Sequence, residues 1–113
     1  MRATVITIFP DLVRGFLGHG LIGRAVETGA LVPKVVDLRD HAHDRHRTVD
    51  DVPFGGGGGM VLKPEPLFEA VEAHKESGDH VILLSPQGAP LTHALVADLA
   101  ARPGLLLICG RYE

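Results

Sequence analysis

A single cysteine, Cys109, leaves this 113-residue chain no internal disulfide to form. The amino terminus opens straight into an apolar alternation rather than a signal-peptide pattern, so a reducing cytoplasm is the expected compartment. Long apolar runs are missing as well: the strongest, Leu105 to Cys109, falls far short of the ~20 residues a membrane helix needs, and no membrane partner is expected. A basic excess is likewise absent. Lysine and arginine number 11 against 14 acidic residues, a net charge of −3, so the chain as a whole carries no electrostatic footprint for nucleic acid. Glycine (14) and proline (8) together stay below the share that marks low complexity, while 45% apolar and 22% charged residues are ordinary for a globular chain. Disorder, collagen and coiled coil are thereby set aside. The length allows one domain or less, with a core of its own.

What is present alternates between strand and helix. Ala3 to Phe9 (ATVITIF) is rich in β-branched residues and predicts a first strand, stopped by Pro10-Asp11. Asp11 is expected to cap a short helix through Leu17, and Leu21, Ile22, Ala25 and Val26 share one face of a second. Gly29 suits the left-handed position past that helix, and Leu31 to Leu38 is a strand that Pro33 places at an edge or at its own beginning. Arg39 to Gly59 shows no period and predicts a long loop, which at this length is usually functional or disordered. Pro64 and Pro66 then open a helix with Leu67, Ala70, Val71 and His74 along one stripe, closed by Gly78. His80 to Leu84 and Leu105 to Cys109 are continuous apolar strands, expected to be buried on both faces, on either side of a helix capped by Thr92 with Leu95, Val96, Leu99 and Ala100 inward. The pattern is α/β, a mostly parallel sheet flanked by helices. In such sheets ligands sit beyond the carboxyl ends of strands, which directs attention to Ser85-Pro86-Gln87-Gly88 and Gly110-Arg111-Tyr112-Glu113.

Several constellations compete for the chemistry. Gly18-His19-Gly20-Leu21-Ile22-Gly23 matches the dinucleotide fingerprint, with Asp37 and Asp40 near the offset of a ribose-binding acid, and admits a nicotinamide-binding module. The first glycine should follow a strand directly, however, and here the strand ends about nine residues earlier. Gly55 to Gly59 lacks the Lys-Ser/Thr of a phosphate loop, with Met60-Val61 standing there instead; it permits close approach of a planar ligand, a hinge, or a plain flexible loop. His41, His43 and His46 have a spacing that suits a metal, but Arg39, Arg45 and Arg47 are interleaved, and cations oppose metal binding. The same segment reads equally as a solvated polar loop or as an Arg/His surface for phosphates and bases. Ser85-Pro86 is no nucleophile elbow, and Cys109 in an apolar strand reads as inert core.

Six ordered stretches carry a resemblance: the strand ending Phe9-Pro10; Gly23-Arg24-Ala25-Val26; His43 to Asp51 (HDRHRTVDD); Pro53-Phe54-Gly55-Gly56-Gly57 with Gly59-Met60; Leu84-Ser85-Pro86-Gln87-Gly88; and Cys109-Gly110-Arg111-Tyr112-Glu113. In these the chain resembles the amino-terminal part of the bacterial tRNA (guanine-N1)-methyltransferases. These are trefoil-knotted SPOUT enzymes that methylate the guanine just 3′ of the anticodon. The resemblance implies S-adenosylmethionine as cofactor, tRNA as partner and a homodimer. It implies a cofactor pocket made partly by Leu84, Ser85, Pro86, Gly110 and Tyr112, largely through main-chain groups, and Glu113 as the carboxylate that orients the guanine. The loop residues Arg45, His46 and Asp50, with Gly59 of the glycine run, would face the tRNA, and no metal ligand is implied. Two departures stand out. Gly58 occupies a position where the family usually has proline, and the sequence ends before the family's knot-closing loops, its general-base aspartate and its tRNA-binding domain. Residues 1–113 are therefore expected to be part of a SPOUT domain with an incomplete knot, to contain no catalytic base, and to be inactive alone.

Overall fold

The computed structural model describes residues 1–112. In chain order the elements are β1 (Arg2–Thr7), α1 (Pro10–Leu17), α2 (Gly20–Glu27), β2 (Val32–Asp37), a 3-10 turn (Leu38–His41), β3 (Asp50–Asp51), β4 (Val61–Leu62), α3 (Pro64–His74), β5 (Asp79–Leu83), α4 (His93–Ala100) and β6 (Gly104–Cys109). The four longer strands form one parallel sheet in the order β2-β1-β6-β5, and β3 pairs with β4 as a separate antiparallel ladder. All four carboxyl ends therefore lie along one edge of the sheet. No helix among the described residues is long and apolar enough to cross a membrane.

The local chemistry explains where elements start and stop. β1 ends at Thr7, two residues before the predicted Phe9, because the Phe9 N–H donates to Thr7 Oγ1 at 3.1 Å and turns the chain. Phe9 then occupies the helix cap and Pro10 opens α1, where its missing N–H costs nothing. Asp11 is thus not the cap; it sits in the first turn and accepts from Arg14 at 3.0 Å. Thr92 does cap α4, its hydroxyl accepting from the Leu95 N–H at 3.2 Å. β2 is an edge strand, as Pro33 requires, and Gly29 adopts φ +77°, a left-handed conformation that L side chains resist.

The core lies on the α3 side. Ile6, Val36, Leu106 and Ile108 point to that face and pack with Ala70 of α3 and with Ile8, Leu38 and Val49 from the connecting segments. β6 is central, with Leu106 and Ile108 buried on the α3 face and Leu105 buried but Leu107 only half-buried on the other, whereas β5, against expectation, forms the other edge, with Val81 and Leu83 exposed. A continuous apolar run is compatible with either position, and only the strand order distinguishes them. The predicted loop from Arg39 to Gly59 is also more ordered than its composition suggests. It begins in the 3-10 turn and returns through the β3–β4 pairing, where Asp50 faces Leu62 and Asp51 faces Val61.

Candidate cofactor pocket and RNA-facing loop

Where β5 and β6 end side by side, the chain leaves an open cavity of about 300 Å³ lined by Leu62, Leu67, Leu83, Leu84, Ser85, Gln87, Gly110 and Tyr112. Four predicted pocket residues, Leu84, Ser85, Gly110 and Tyr112, are brought together here from segments some 25 residues apart in sequence. Pro86 is not among the lining residues. It occupies the turn behind them, where the Gly88 N–H donates to the Ser85 carbonyl and the Gln87 N–H to Ser85 Oγ, both at 3.1 Å. Ser85 thus spends its side-chain oxygen on the turn. The Leu84 N–H still bonds to Ile108 at 3.1 Å, fixing the two strand ends to each other.

Gly110 leaves room for a neighbour. A Cβ there would lie 2.5 Å from Leu62 Cδ1, so any added side chain would have to push the Leu62 side chain aside. Arg111 extends over the Phe9 ring at 5.8 Å, a cation–π contact joining the ends of β1 and β6. Cys109 is half-buried, and burial pushes its thiol up from the ordinary value, which makes it a poor nucleophile. Glu113, the expected guanine-orienting carboxylate, lies outside the described residues.

The loop beside the cavity divides its charges. Arg39 donates to the Ile8 carbonyl, and Arg47 bonds to Asp40 and, at 3.2 Å, to the Arg39 carbonyl; both serve the loop itself. Asp44 binds the Thr48 N–H and hydroxyl, both at 2.8 Å, which holds its carboxyl below the ordinary value and leaves Arg47 at φ +51°. Of the predicted RNA-facing residues, Arg45 and His46 are exposed and make no side-chain bond among the described residues. Asp50 is half-buried in β3, and Gly59 stands at the exposed hairpin tip with φ +99°.

The three imidazoles that the metal reading would gather do not converge. His43 Nε2 lies 2.7 Å from Glu69 Oε2 and His41 Nδ1 lies 3.1 Å from Glu69 Oε1, while His46 stands apart. His41 Nε2 in turn meets His74 Nε2 at 3.0 Å. A carboxylate only accepts, so with His41 neutral its Nδ1–H donates to Glu69, its Nε2 accepts, and His74 Nε2–H donates to it. Glu69 is held below its ordinary range by the bonds from His43 and His41; His74 is lowered by burial, then by Lys34 and His41. Among the described residues no group of three or more His, Cys, Asp or Glu is arranged to hold a metal.

The dinucleotide reading also fails on geometry. Gly18 caps the end of α1 and Gly20 starts α2, so a helix and not a strand leads into the motif, and a Cβ on Gly23 would come within 2.9 Å of the Gly18 backbone. These glycines let two helices meet. Asp37, its supposed ribose acid, caps the 3-10 turn through the Arg39 N–H at 2.9 Å. Sequence reasoning missed Leu62, Leu67 and Leu83 in the cavity and the pairing of Glu69 and His74 with the loop, while Gln87 lies in the turn it had singled out. Nothing in their type marks them; only a helix register projected onto a known sheet order would have found them.

The tRNA (guanine-N(1)-)-methyltransferases of Thermosipho melanesiensis and Rhodospirillum rubrum are each 49% identical to this chain over its whole length, and it covers 47% of each. The crystal structure of tRNA (m1G37) methyltransferase from Aquifex aeolicus superposes with a TM-score of 0.84 at 38% identity, covering all of this chain and 52% of that one. The chain therefore spans about half the length of the relatives it matches. With the family model for tRNA (Guanine-1)-methyltransferase TrmD matching residues 1–113, the chain belongs to that family.

Proposed function

We propose that this chain supplies the methyl-donor side, and part of the RNA-facing wall, of an enzyme that transfers a methyl group from S-adenosylmethionine to N1 of the guanine just 3′ of the anticodon in tRNA. The observation that carries the reading is the cavity at the ends of β5 and β6, where Leu84, Ser85, Gly110 and Tyr112 meet in a chain of this family. Its apolar walls, few polar groups and close-approach glycine suit an adenosyl group held largely by main-chain N–H and C=O. Leu84, Ser85, Gly110 and Tyr112 would hold the donor, with Pro86 setting the turn; once bound, it offers a methyl on a sulfonium to a nucleophile.

Guanine N1 becomes a nucleophile only as its proton is taken, and positive charge near O6 favours that loss. In this reading the chain binds and orients the donor, and the general base that takes the proton comes from another part of the enzyme. Glu113 is the proposed orienting carboxylate. Arg45 and His46, whose side chains are exposed, would meet phosphate or base, together with Asp50 and Gly59 of the hairpin. The reading carries with it a SPOUT knot, residues 1–113 being one part of that domain, a cytoplasmic site of action and a homodimer. The exposure of Leu12, Phe16 and Leu21 on α1 and α2 supports an interface there.

The test joins this chain to the carboxyl-terminal half of the Thermosipho melanesiensis relative and follows methyl transfer from S-adenosylmethionine to tRNA. Methylation at guanine N1 is expected, and Gly110→Ala should slow it on the order of 10²-fold by displacing the donor. A folded chimera that methylates another position, or none, overturns the reading. The 113-residue chain alone is expected to transfer no methyl group.

A further inference from the structure

The β3–β4 hairpin is held at its base and free at its tip. Next to the two paired positions, the Lys63 N–H donates to the Val49 carbonyl at 2.8 Å, and Val49 is buried in the core at 2% exposure. Beyond the base, Phe54 is fully exposed and Gly55, Gly56, Gly57 and Gly59 all have positive φ, with nothing within 4 Å of an added Cβ at any of them. The tip therefore takes its position from β3 and β4 alone.

Leu62 is the hinge between that hairpin and the cavity. It pairs with Asp50, packs against the rim of the core, lines the cavity, and comes close enough to Gly110 that a single added carbon there would clash with it. On its cavity side Leu62 shares the wall with Leu67, Leu83, Gly110 and Tyr112, so a ligand in the cavity would pack against its side chain.

From this juxtaposition we infer that Leu62 is a positioning residue that couples the two ligands: a methyl donor in the cavity packs against Leu62, fixes β4, and through β3 orders Asp50 and the glycine tip for the RNA. The inference rests on the donor reading of the cavity. Coupling of this kind is reciprocal, so donor and tRNA each tighten the other's binding, typically by ~5-fold or more. Leu62 touches neither the transferred methyl nor its acceptor in this scheme; it acts through the hairpin.

The experiment measures S-adenosylmethionine binding by calorimetry and amide hydrogen exchange across residues 49–63, on the 113-residue chain and on the chimera. Donor binding should slow exchange of the Lys63 and Asp51 amides by about 5-fold. Leu62→Met, which conserves volume, should retain the effect, whereas Leu62→Ala should bind donor more weakly and, at saturating donor, show no hairpin response. In the chimera, Leu62→Ala should raise KM for tRNA more than it lowers kcat. Donor binding without any change in hairpin exchange overturns the coupling and leaves the donor site standing, a result readable from the unsubstituted protein even if Leu62→Ala does not fold. Absence of donor binding in both proteins overturns the donor reading, and the coupling with it.

Discussion

The two faces of the central sheet differ in how completely they are covered. On the α3 face, Leu106 and Ala70 are wholly inaccessible and Ile6, Val36 and Ile108 are buried around them. On the other face, where Leu105 and Leu107 point by strand alternation, α4 buries none of its residues, and an open groove of about 660 Å³ separates it from the sheet. Val96 of α4 is 45% exposed. The α3 face is thus a filled core, into which the loop also inserts Leu38 and Val49, and it gives that loop a rigid base. The α4 face is a looser wall, attached through the Ser85–Leu91 segment that borders the cavity. A pocket bounded by one firm and one yielding side can keep its shape at Gly110 and Leu62 while adjusting at Ser85.

Substitutions separate the two faces most sharply in the core. Leu106→Ala should cost about 2–5 kcal/mol of stability, since close packing leaves little room for collapse, whereas Val96→Ala should cost under ~1 kcal/mol. Urea unfolding midpoints measure both, and equal losses would break the contrast. Thr92→Ala removes the one side-chain cap that starts α4 and should cost about 1 kcal/mol; if α4 is as lightly packed as its exposure indicates, circular dichroism should show helix loss before global unfolding. The smallest effect expected is the pH dependence of the imidazole network on the α3 face.

His74 is lowered from 6.5 by burial, with Lys34 on β2 and His41 on the 3-10 turn adding to it, so the folded state prefers the neutral ring. Its contribution is fully present above about pH 6.5 and is lost as the pH falls through the lower folded value. Glu69, lowered from 4.5, contributes above that value and loses its effect in more acid solution, so the His74 loss comes first. Thermal melts between pH 7.5 and 5 should therefore show a decline that His74→Asn reduces. A decline unchanged in that variant would show that the network does not sense pH in this range.

Much of the fold was legible because it rests on local chemistry. The β-branched opening run, Pro33, Gly29, Thr92 and the Pro64–Pro66 helix start each act within a few residues, and each appears where the sequence placed it. The cavity was legible in part for a different reason: parallel sheets put ligands at strand ends, so naming two strands named the turns at Ser85 and Gly110. The misses share one cause. Arg39 and Arg47 read as cations for a partner, yet they bond to main-chain carbonyls and to Asp40, contacts that depend on how the loop folds back. His41 and His43 read as ligands of a common centre with His46, but Glu69 and His74, about 30 residues later, claim them.

The sequence by itself determined the class of fold, the two strand-end segments that line the cavity and, through six ordered stretches, the family. Spacing, capping and hydrophobic period are written along the chain, and those features follow from them. Only the tertiary structure decided that β5 is an edge, that α3 and not α4 closes the core, and that Leu62 lies against Gly110. These depend on the strand order β2-β1-β6-β5, which is set by the summed burial of long-range partners and leaves no mark on any single residue.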